Sequence, residues 1–537
     1  MKKIFFALLL LNFISEPSFG QAKNVKSQIG KPQKTGEISE MFGVVGADQE
    51  GYYVLRGKST GFSLLIVPIN VKVKLNLDYY DREMNFVRSL EIEDIRADVG
   101  LKKSKCYEFM DQDEDGNLFL FYSEKKGDNI LLWKSKFNKK KFSFEPPSLI
   151  SELYNGRQKS FYLLESDDRT KKAIVSLFNS ESSGQSRINI DYLDKYSNKS
   201  SNMEEIINFP IEEIGEFQNS GKFGNRKLDR SSVSESRLAN NGDLILMAKT
   251  QKEGGVFKAS IYDYHLISIS GNSNKVKYQK LDFQGKIPLT GTLTNPDKIS
   301  NQLRFTGFYS GDKIQSIEGV YQFDFNTDDL KITRKKFCEF DRDQKEDFLV
   351  SEQAKGEKLN RSERRIKKKI FENKDVRIKS FFIREQISFE DNSITIVAEE
   401  YFEYTTQTRM GNSVTFTTYF NFMDLVYIHI NKRGEIEWVK NLKKNQVSSS
   451  KIGLGVYVFN HDNYIYSLYN DRNSKNLVLS SIDKKGDYEF KNISSLKKKS
   501  KFGKYQMELP NLRFLNDAEL VGFAGRKDKS RFFKLKF

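Results

Sequence analysis

Apolar and polar residues alternate with a period of two in many short segments of the chain. This period predicts β-strands with one buried face, because successive side chains of a strand point to opposite sides of the sheet. The alternation is clearest in residues 117–122, 243–248, 393–398, 464–469 and 519–523. Aromatic residues make up 13% of the chain and only nine residues are proline, which also favours strands. We therefore predict an all-β protein.

A polar turn precedes each of these segments. The turns are rich in Asp, Asn and Gly, which tolerate the positive φ that tight hairpins need. With three weaker examples included, the turns lie near residues 51, 116, 168, 242, 312, 392, 463 and 517. Their spacing of about 50–80 residues suits propeller blades with long loops, since blade repeats take about 40–50 residues.

Several repeats continue into a second hairpin, as in residues 425–438, which gives four strands per repeat. We predict a β-propeller of seven or eight four-stranded blades over residues 37–537. The last repeat, residues 512–537, has room for only three strands. We expect residues 37–45 to supply the fourth strand and close the ring. Tandem β-sandwiches are an alternative, because they would use similar strands.

Residues 343–375 break the β pattern. They are charged, and Leu359, Ile366 and Ile370 recur at near-helical spacing. Residues 361–369 contain six Lys and Arg against one Glu. A basic helix of this kind suits contact with an anionic surface such as lipid headgroups or polysaccharide. It also suits a helical insertion between blades with a solvated face, which is the interpretation we prefer.

The first 20 residues have the pattern of a secretory signal peptide. Two lysines precede an apolar run that is too short to span a membrane. Ser18 and Gly20 are the small residues expected at positions −3 and −1 of a cleavage site before Gln21. We expect residues 21–36 to form a flexible leader. The predicted mature protein is exported, with no transmembrane segment, and is periplasmic, outer-membrane-associated or secreted.

The chain is basic, with 88 Lys and Arg against 72 Asp and Glu and a formal net charge of +16. Such an excess suggests nucleic acid, a membrane surface or an acidic polymer as partner. Export argues against nucleic acid, and the lysines are scattered along the chain. We therefore expect a solvated, Lys-rich surface and a protein or glycan of the cell envelope as partner.

Cys106 and Cys338 are the only two cysteines, and they fall in different repeats. A disulfide needs Cα atoms about 4.4–6.8 Å apart, which non-adjacent blades do not provide. We expect two unpaired thiols.

No motif predicts a catalytic residue, a cofactor or a metal site. The chain lacks a phosphate-binding loop, a nucleophile-elbow serine and an HExxH zinc motif. Residues 111–116 match the first half of a calcium loop, but the position that needs a bidentate carboxylate is Tyr122. His265, His429 and His461 are far apart in sequence, and we expect structural roles for them.

The acidic and aromatic segment from Glu399 to Tyr404 is the one cluster that stands out. Glycoside hydrolysis uses two acids about 5–10 Å apart, often with aromatic neighbours. Glu399 and Glu400 are successive strand residues, however, so they should face opposite sides and not line one pocket. A carboxylate with stacked rings also suits a carbohydrate-binding surface, and a solvated edge strand would have the same composition.

Residues 394–484 resemble a group of uncharacterised exported proteins of Gram-negative bacteria. The resemblance is carried by residues 397–401, 424–428, 434–440, 444–446 and 467–471, with a matching upstream element in residues 306–310 and 319–321. It implies an exported, propeller-like protein. It brings no activity and no site residue.

Two function classes follow from these observations. The first is an exported, envelope-associated binding or scaffold protein. The second is a hydrolase of an envelope polysaccharide, with acids from different blades converging at the central channel. Propellers serve both classes, so the fold does not choose between them.

Overall fold

The structure is a computed structural model that describes residues 24–537 with interruptions. The interruptions are residues 35–38, 61–62, 65–66, 69–71, 97–104, 154–157, 167, 180–183, 211–212, 215, 218–234, 256–257, 272, 274, 296–300, 312–315, 352–360, 373–375, 411–412, 450–452, 472–475, 496–505, 508, 510–511, 517–518 and 527–528. The predicted signal peptide and its cleavage site therefore lie outside the described residues.

The described strands form successive antiparallel units of four main strands each. Two short strands come first, β1 (Lys26–Ile29) and β2 (Gln33–Lys34). Unit 1 contains β3 (Ser39–Ala47), β4 (Gly51–Thr60), the small hairpin β5 (Ser63–Leu64) and β6 (Val67–Pro68), β7 (Lys72–Asp81) and β8 (Phe86–Arg96). Unit 2 contains β9 (Lys105–Gln112), β10 (Leu118–Lys126), β11 (Asn129–Asn138), β12 (Ser143–Phe144) and β13 (Ser148–Leu153). Unit 3 contains β14 (Gln158–Glu165), β15 (Lys172–Asn179), β16 (Ser186–Leu193) and β17 (Lys199–Ile207).

The second half of the chain continues the same pattern. Unit 4 contains β18 (Glu216–Phe217), β19 (Glu235–Leu238), β20 (Leu244–Gly255), β21 (Lys258–Ile269) and β22 (Val276–Leu281). Unit 5 contains β23 (Ile287–Thr294), β24 (Gln302–Ser310), β25 (Gly319–Asn326) and β26 (Ile332–Glu339), and helices α1 (Arg342–Leu349) and α2 (Arg361–Phe371) follow it. Unit 6 contains β27 (Phe381–Ser388), β28 (Ile394–Met410), β29 (Ser413–Ile430), β30 (Ile436–Leu442) and β31 (Gln446–Ser448). Unit 7 contains β32 (Tyr457–His461), β33 (Tyr464–Asp471), β34 (Asn476–Asp483) and β35 (Tyr488–Ser495). Unit 8 contains β36 (Gln506–Met507), β37 (Arg513–Asn516), β38 (Glu519–Arg526) and β39 (Lys529–Lys536).

The units close into a ring. A cluster of buried apolar side chains lies between each unit and the next, and one of these clusters joins unit 8 to unit 1. In that closing cluster the ring centroids of Tyr52 and Phe532 are 4.8 Å apart, and those of Tyr80 and Phe523 are 5.9 Å apart. Burial of this kind is the main stabilising contribution to a fold. The arrangement is a β-propeller and excludes tandem β-sandwiches.

The N-terminal strand completes unit 8. β1 pairs antiparallel with β39, from Lys26 opposite Lys536 to Ile29 opposite Phe533. The prediction that residues 37–45 supply this strand is wrong, because residues 39–45 belong to β3, which pairs with β4 inside unit 1, while residues 37–38 lie outside the described part of the chain. The segment expected to be a flexible leader contains β1 and β2 instead. Three of the four side chains of β1 are exposed, so this outer strand has no alternating apolar pattern that a sequence could reveal.

Most of the turns predicted from the sequence are tight turns that join the first and second strands of a unit. In unit 2 the N–H of Asp113 donates to the carbonyl of Asn117, and the N–H of Gly116 donates to the carbonyl of Asp113, both at 3.0 Å. The same pair of hydrogen bonds begins at Ala239 in unit 4 and at Phe389 in unit 6. Gly116 has a φ of 76°, which explains why glycine suits this turn.

One predicted turn is misplaced. The turn expected near residue 312 follows Ser310 at the end of β24, so it joins the second and third strands of unit 5. Residues 295–301 join the first and second strands there. This connection is longer than those between the first and second strands of the other units. It therefore lacks the short Asn-Gly or Asp-Gly pattern by which the other turns were predicted.

Among its described residues, the predicted helical insertion contains helices α1 and α2, which lie between units 5 and 6. The carboxylate of Asp341 accepts a hydrogen bond from the N–H of Gln344 at 2.8 Å and caps α1. Phe348 of α1 is buried among apolar side chains of both units. Lys367 of α2 forms a 2.8 Å ion pair with Glu346 of α1, which links the two helices.

Neither Cys106 nor Cys338 forms a disulfide, as predicted. Cys106 lies on β9 in unit 2, and Cys338 lies on β26 in unit 5. The Sγ of Cys338 donates to the carbonyl of Gly434 in unit 6 at 2.9 Å, so this thiol contributes to packing between units.

Candidate functional site

Unit 6 contains the acidic and aromatic segment that stands out in the sequence. Its strands β28 and β29 have 17 and 18 residues, whereas β27 has only 8. β27 pairs with β28 as far as Glu400, and β30 pairs with β29 from Leu425 onward. Beyond these points β28 and β29 pair with each other, and only β31 joins them, at residues 420–422. We call residues 402–410 and 413–419 the arm.

A buried ion cluster lies at the base of the arm. The side chains of Glu399 and Lys444 are completely buried, and Nζ of Lys444 lies 2.6 Å from Oε1 of Glu399. The Nε of Arg384 donates to Oε2 of the same carboxylate at 2.6 Å. Burial lowers the pKa of Lys444, and the charge of Glu399 opposes this effect. The carboxylate therefore has a cation on each oxygen, which a buried charge requires.

Lys444 also connects the arm to the next units. Its Nζ donates to the carbonyl of Phe422 at 3.0 Å and to Oε1 of Gln446 at 2.9 Å. The side-chain amide of Gln446 donates to the carbonyl of Asn470 in unit 7 at 2.7 Å. The side-chain amide of Asn470 donates to the carbonyl of Met507 in unit 8 at 3.0 Å. The base of the arm is thus held by hydrogen bonds across three units.

Glu400 is a half-buried acid beside this cluster. Burial, and secondarily the charge of Asp424, raise the pKa of Glu400 to about 7, while Lys444 acts in the opposite direction. Glu400 is partly exposed whereas Glu399 is fully buried, so the two glutamates have different environments. A register shift between Glu399 and Tyr401 bends the strand at this point. A carboxyl group with this pKa exchanges its proton near neutral pH, as a general acid does.

The arm presents aromatic side chains to solvent. Phe416 is 67% exposed, Tyr404 is 45% exposed and Phe402 is 40% exposed. The rings of Tyr404 and Tyr419, from opposite strands, stack with centroids 5.3 Å apart and an angle of 21° between their planes. Six of the fourteen residues between Tyr404 and Tyr419 are threonine. Phe402 and Tyr404 lie on one face of the hairpin and Phe416, three residues from Tyr419, lies on the other, so the arm exposes aromatic rings on both faces.

Acids from two units also contact one lysine. Asp111 on the first strand of unit 2 and Glu165 on the first strand of unit 3 contact the same atom, Nζ of Lys172, at 3.1 and 3.8 Å. The hydroxyl of Ser197 donates to Asp111 at 2.7 Å. Burial raises the pKa of Glu165, and Lys172 opposes that shift. Because both carboxylates contact the same ammonium group, Asp111, Glu165 and Lys172 form an ion-pair cluster.

The half-matched calcium loop is a hairpin turn. Asp111 is engaged by Lys172, and Asp113 accepts hydrogen bonds from the backbone and side-chain nitrogens of Asn117 at 2.7 and 2.9 Å. These bonds occupy oxygens that a calcium ion would need. Over the described ranges, no three His, Cys, Asp or Glu side chains are grouped to hold a metal ion.

The three histidines lie in three different units. His429 is fully buried in unit 6, where its Nδ1 lies 2.9 Å from Oγ1 of Thr395 and its ring stacks on Trp438 with centroids 5.2 Å apart. Burial lowers the pKa of His429 and favours the neutral ring. His265 lies on β21 of unit 4, and His461 ends β32 of unit 7.

The charged insertion exposes the basic side chains of Arg364, Arg365 and Lys369 on α2. Of the helices that the structure describes, none combines the length and the apolar composition needed to cross a bilayer.

Arg384 and Lys444 are the two site residues that sequence reasoning missed. Arg384 lies 15 residues from Glu399 on the neighbouring strand β27, and Lys444 lies between β30 and β31, which both pair with β29. The available signal was weak, because Arg384 follows three apolar residues, 381–383, but is itself followed by the polar residues Glu385 and Gln386.

The comparisons with known proteins do not identify a family for this chain. No protein-family model matches the sequence, and no curated protein matches it. Among solved structures, the WD40 domain of SCAP from fission yeast is similar over 97% of each chain, with 8% identity and a TM-score of 0.36. A mutant of the apocarotenoid oxygenase of Synechocystis is similar over 89% of this chain and 93% of its own, with 8% identity and a TM-score of 0.34. The propeller assignment rests on the sheet topology and on the closing cluster, not on these likenesses.

Proposed function

We propose that the protein is an exported, envelope-associated binding or scaffold protein of a Gram-negative bacterium. Its partner in this proposal is a protein or glycan of the cell envelope, and the arm is the surface that meets it. The observation that carries the proposal is the exposure of Phe402, Tyr404 and Phe416 on a hairpin that extends beyond its sheet.

The base of the arm supports this role. A two-stranded hairpin alone is marginally stable in water. Here the rings of Tyr401 and Phe422 pack with centroids 4.6 Å apart, and the centroid of the Phe422 ring lies 5.6 Å from Arg384 and 6.0 Å from Lys444 of the ion cluster. An anchored arm loses less conformational freedom when it binds, which favours affinity. Neutral polar residues and aromatic rings suit both the faces of sugars and the surface of a protein.

The experiment is co-sedimentation of the purified protein with isolated cell envelopes. The variant Tyr404→Ser/Phe416→Ser removes the two most exposed rings of the arm. Tyr196→Ser/Tyr278→Ser is the matched control, because those two tyrosines are 41% and 46% exposed and lie in units 3 and 4. The proposal expects the arm variant to lose sedimentation at least roughly tenfold, since exposed aromatic anchors dominate binding. Equal sedimentation of both variants would refute it.

One observation favours the alternative, a hydrolase of an envelope polysaccharide. Glu400 has a pKa of about 7 and lies near Asp424. Glu400 therefore resembles the proton-donating acid of a two-carboxylate site, with Asp424 as the second carboxylate. The test is release of soluble sugar from purified envelope polysaccharide. A hydrolase would release sugar with an optimum below pH 7, and Glu400→Gln would abolish the release. Absence of release by the parent protein leaves binding as the function.

A further inference from the structure

The arm has a strand edge that no described strand occupies. From Phe402 to Met410, β28 pairs with β29 on one side, while β27 ends its pairing at Glu400 on the other. On such an edge, every second residue directs its N–H and C=O groups outward. These groups are ready to pair with a further strand, which makes a long free edge a site of association.

Two opposite charges lie symmetrically on this edge. Glu403 and Arg409 are each three residues from Thr406, and both side chains are exposed. An interval of six residues places them on the same face of the strand. Within the arm they lie opposite Phe420 and Val414, so neither meets a charge across the hairpin. The pattern is therefore complementary to itself when the strand is reversed.

We infer that two copies of the protein associate through this edge, with β28 antiparallel to β28 of the second copy and Thr406 on the two-fold axis. In this register each Glu403 lies opposite Arg409 of the second copy. Opposite charges directly across strands are favourable and like charges are unfavourable. A shift of two residues would place Glu403 opposite Gln407 and remove both charge pairs. A two-fold interface requires this kind of self-complementary surface.

The geometry accommodates the two propellers. In this register the two Glu400 residues are about 40 Å apart along the strands, since each residue advances about 3.4 Å. The propellers would then lie at opposite ends of a four-stranded sheet. Phe416 and Tyr419 belong to β29, the outer strand of that sheet, and their rings stay available. Self-association therefore goes beyond the proposed binding function and does not compete with it.

Charge reversal tests the register. Sedimentation equilibrium of the mature protein should give twice the mass of one chain at micromolar concentration. Glu403→Arg alone and Arg409→Glu alone should each weaken association by roughly tenfold or more, because each places like charges opposite at both ends of the interface. An equimolar mixture of the two variants should associate again, since every pair across that interface then has opposite charges.

Two controls make the outcome decisive. The double variant Glu403→Arg/Arg409→Glu should associate like the parent protein. Charge reversal at exposed residues away from the arm, Glu50→Arg or Lys485→Glu, should change nothing. A parent protein that stays monomeric at about 100 µM, far above a micromolar dissociation constant, would overturn the inference. Single variants that associate as well as the parent would overturn it too, because another surface would then hold the copies together.

Discussion

The Nζ atom of Lys444 lies 2.6 Å from Oε1 of Glu399, and both side chains are completely buried. Exposed ion pairs contribute little to stability, because water and salt screen them. A buried pair differs, since removing one partner leaves an unpaired charge without water. This pair lies where β28 leaves the sheet of unit 6, so it connects the stability of the propeller to the position of the arm.

Replacing Lys444 with methionine tests that connection. The change leaves Glu399 buried with Arg384 as its remaining cation. We expect Lys444→Met to lower the free energy of unfolding by about 3–5 kcal/mol, the usual cost of breaking a buried pair. Urea denaturation followed by circular dichroism measures the change. Lys432→Met, at an exposed position, is the control and should have no effect beyond about 0.5 kcal/mol.

The double variant Glu399→Gln/Lys444→Met sharpens this test. It removes both charges of the pair but leaves Arg384, whose side chain is 9% exposed, without the carboxylate of Glu399, so it should be less stable than Lys444→Met alone. If Lys444→Met unfolds at the same urea concentration as the parent protein, the ion cluster does not hold the base of the arm.

Glu400 should make stability depend on pH near neutrality. Its pKa in the folded protein is about 7, above the ordinary value of 4.5, so the folded state binds more protons than the unfolded state between these values. Stability from this group is therefore fully present below about pH 4.5 and is lost as pH rises through about 7. The loss is on the order of 1–3 kcal/mol. Glu400→Gln should remove this dependence, as measured by urea denaturation between pH 5 and pH 8; an unchanged slope would show that another group is responsible.

The N-terminal strand should be necessary for ring closure. Removing residues 24–35 deletes β1 and β2 and leaves the outer edge of β39 unpaired. An unpaired edge promotes aggregation and weakens the closing contact. We expect a chain that begins at residue 36 to be less soluble and to melt at least about 3–5 °C below a chain that begins at residue 24. Identical melting of the two chains would mean that unit 8 is stable with three strands.

The sequence predicted the general fold because apolar strand segments and polar turns repeat along it, although segments such as residues 118–123 of β10 are buried on both faces and not on one. Leu246 and Ile396, for example, belong to alternating segments and are completely buried between units. Turn residues were also informative, because Gly116 has a positive φ that few residues other than glycine tolerate. Burial and turn geometry are local properties, so a single sequence records them.

The sequence could not predict the closing strand or the ion cluster. β1 is an outer strand with mostly exposed side chains, so its pairing with β39 leaves no apolar pattern. Glu399 and Lys444 meet only because strands distant in sequence pair side by side. The acidic and aromatic composition of the segment from Glu399 to Tyr404 made it a candidate in the sequence. Its division into a buried acid, a half-buried acid and exposed rings depends on where β27 ends.

Removing the arm tests the central claim most directly. Phe402 and Asn421 lie opposite each other, so an Asn-Gly turn can replace residues 403–420 and close a short hairpin. Tyr401 and Phe422 stay in place to cover the ion cluster. We predict that this protein folds with a melting temperature within about 3 °C of the parent and no longer co-sediments with cell envelopes. A folded, armless protein that binds envelopes as well as the parent would contradict the claim that the arm is the binding surface.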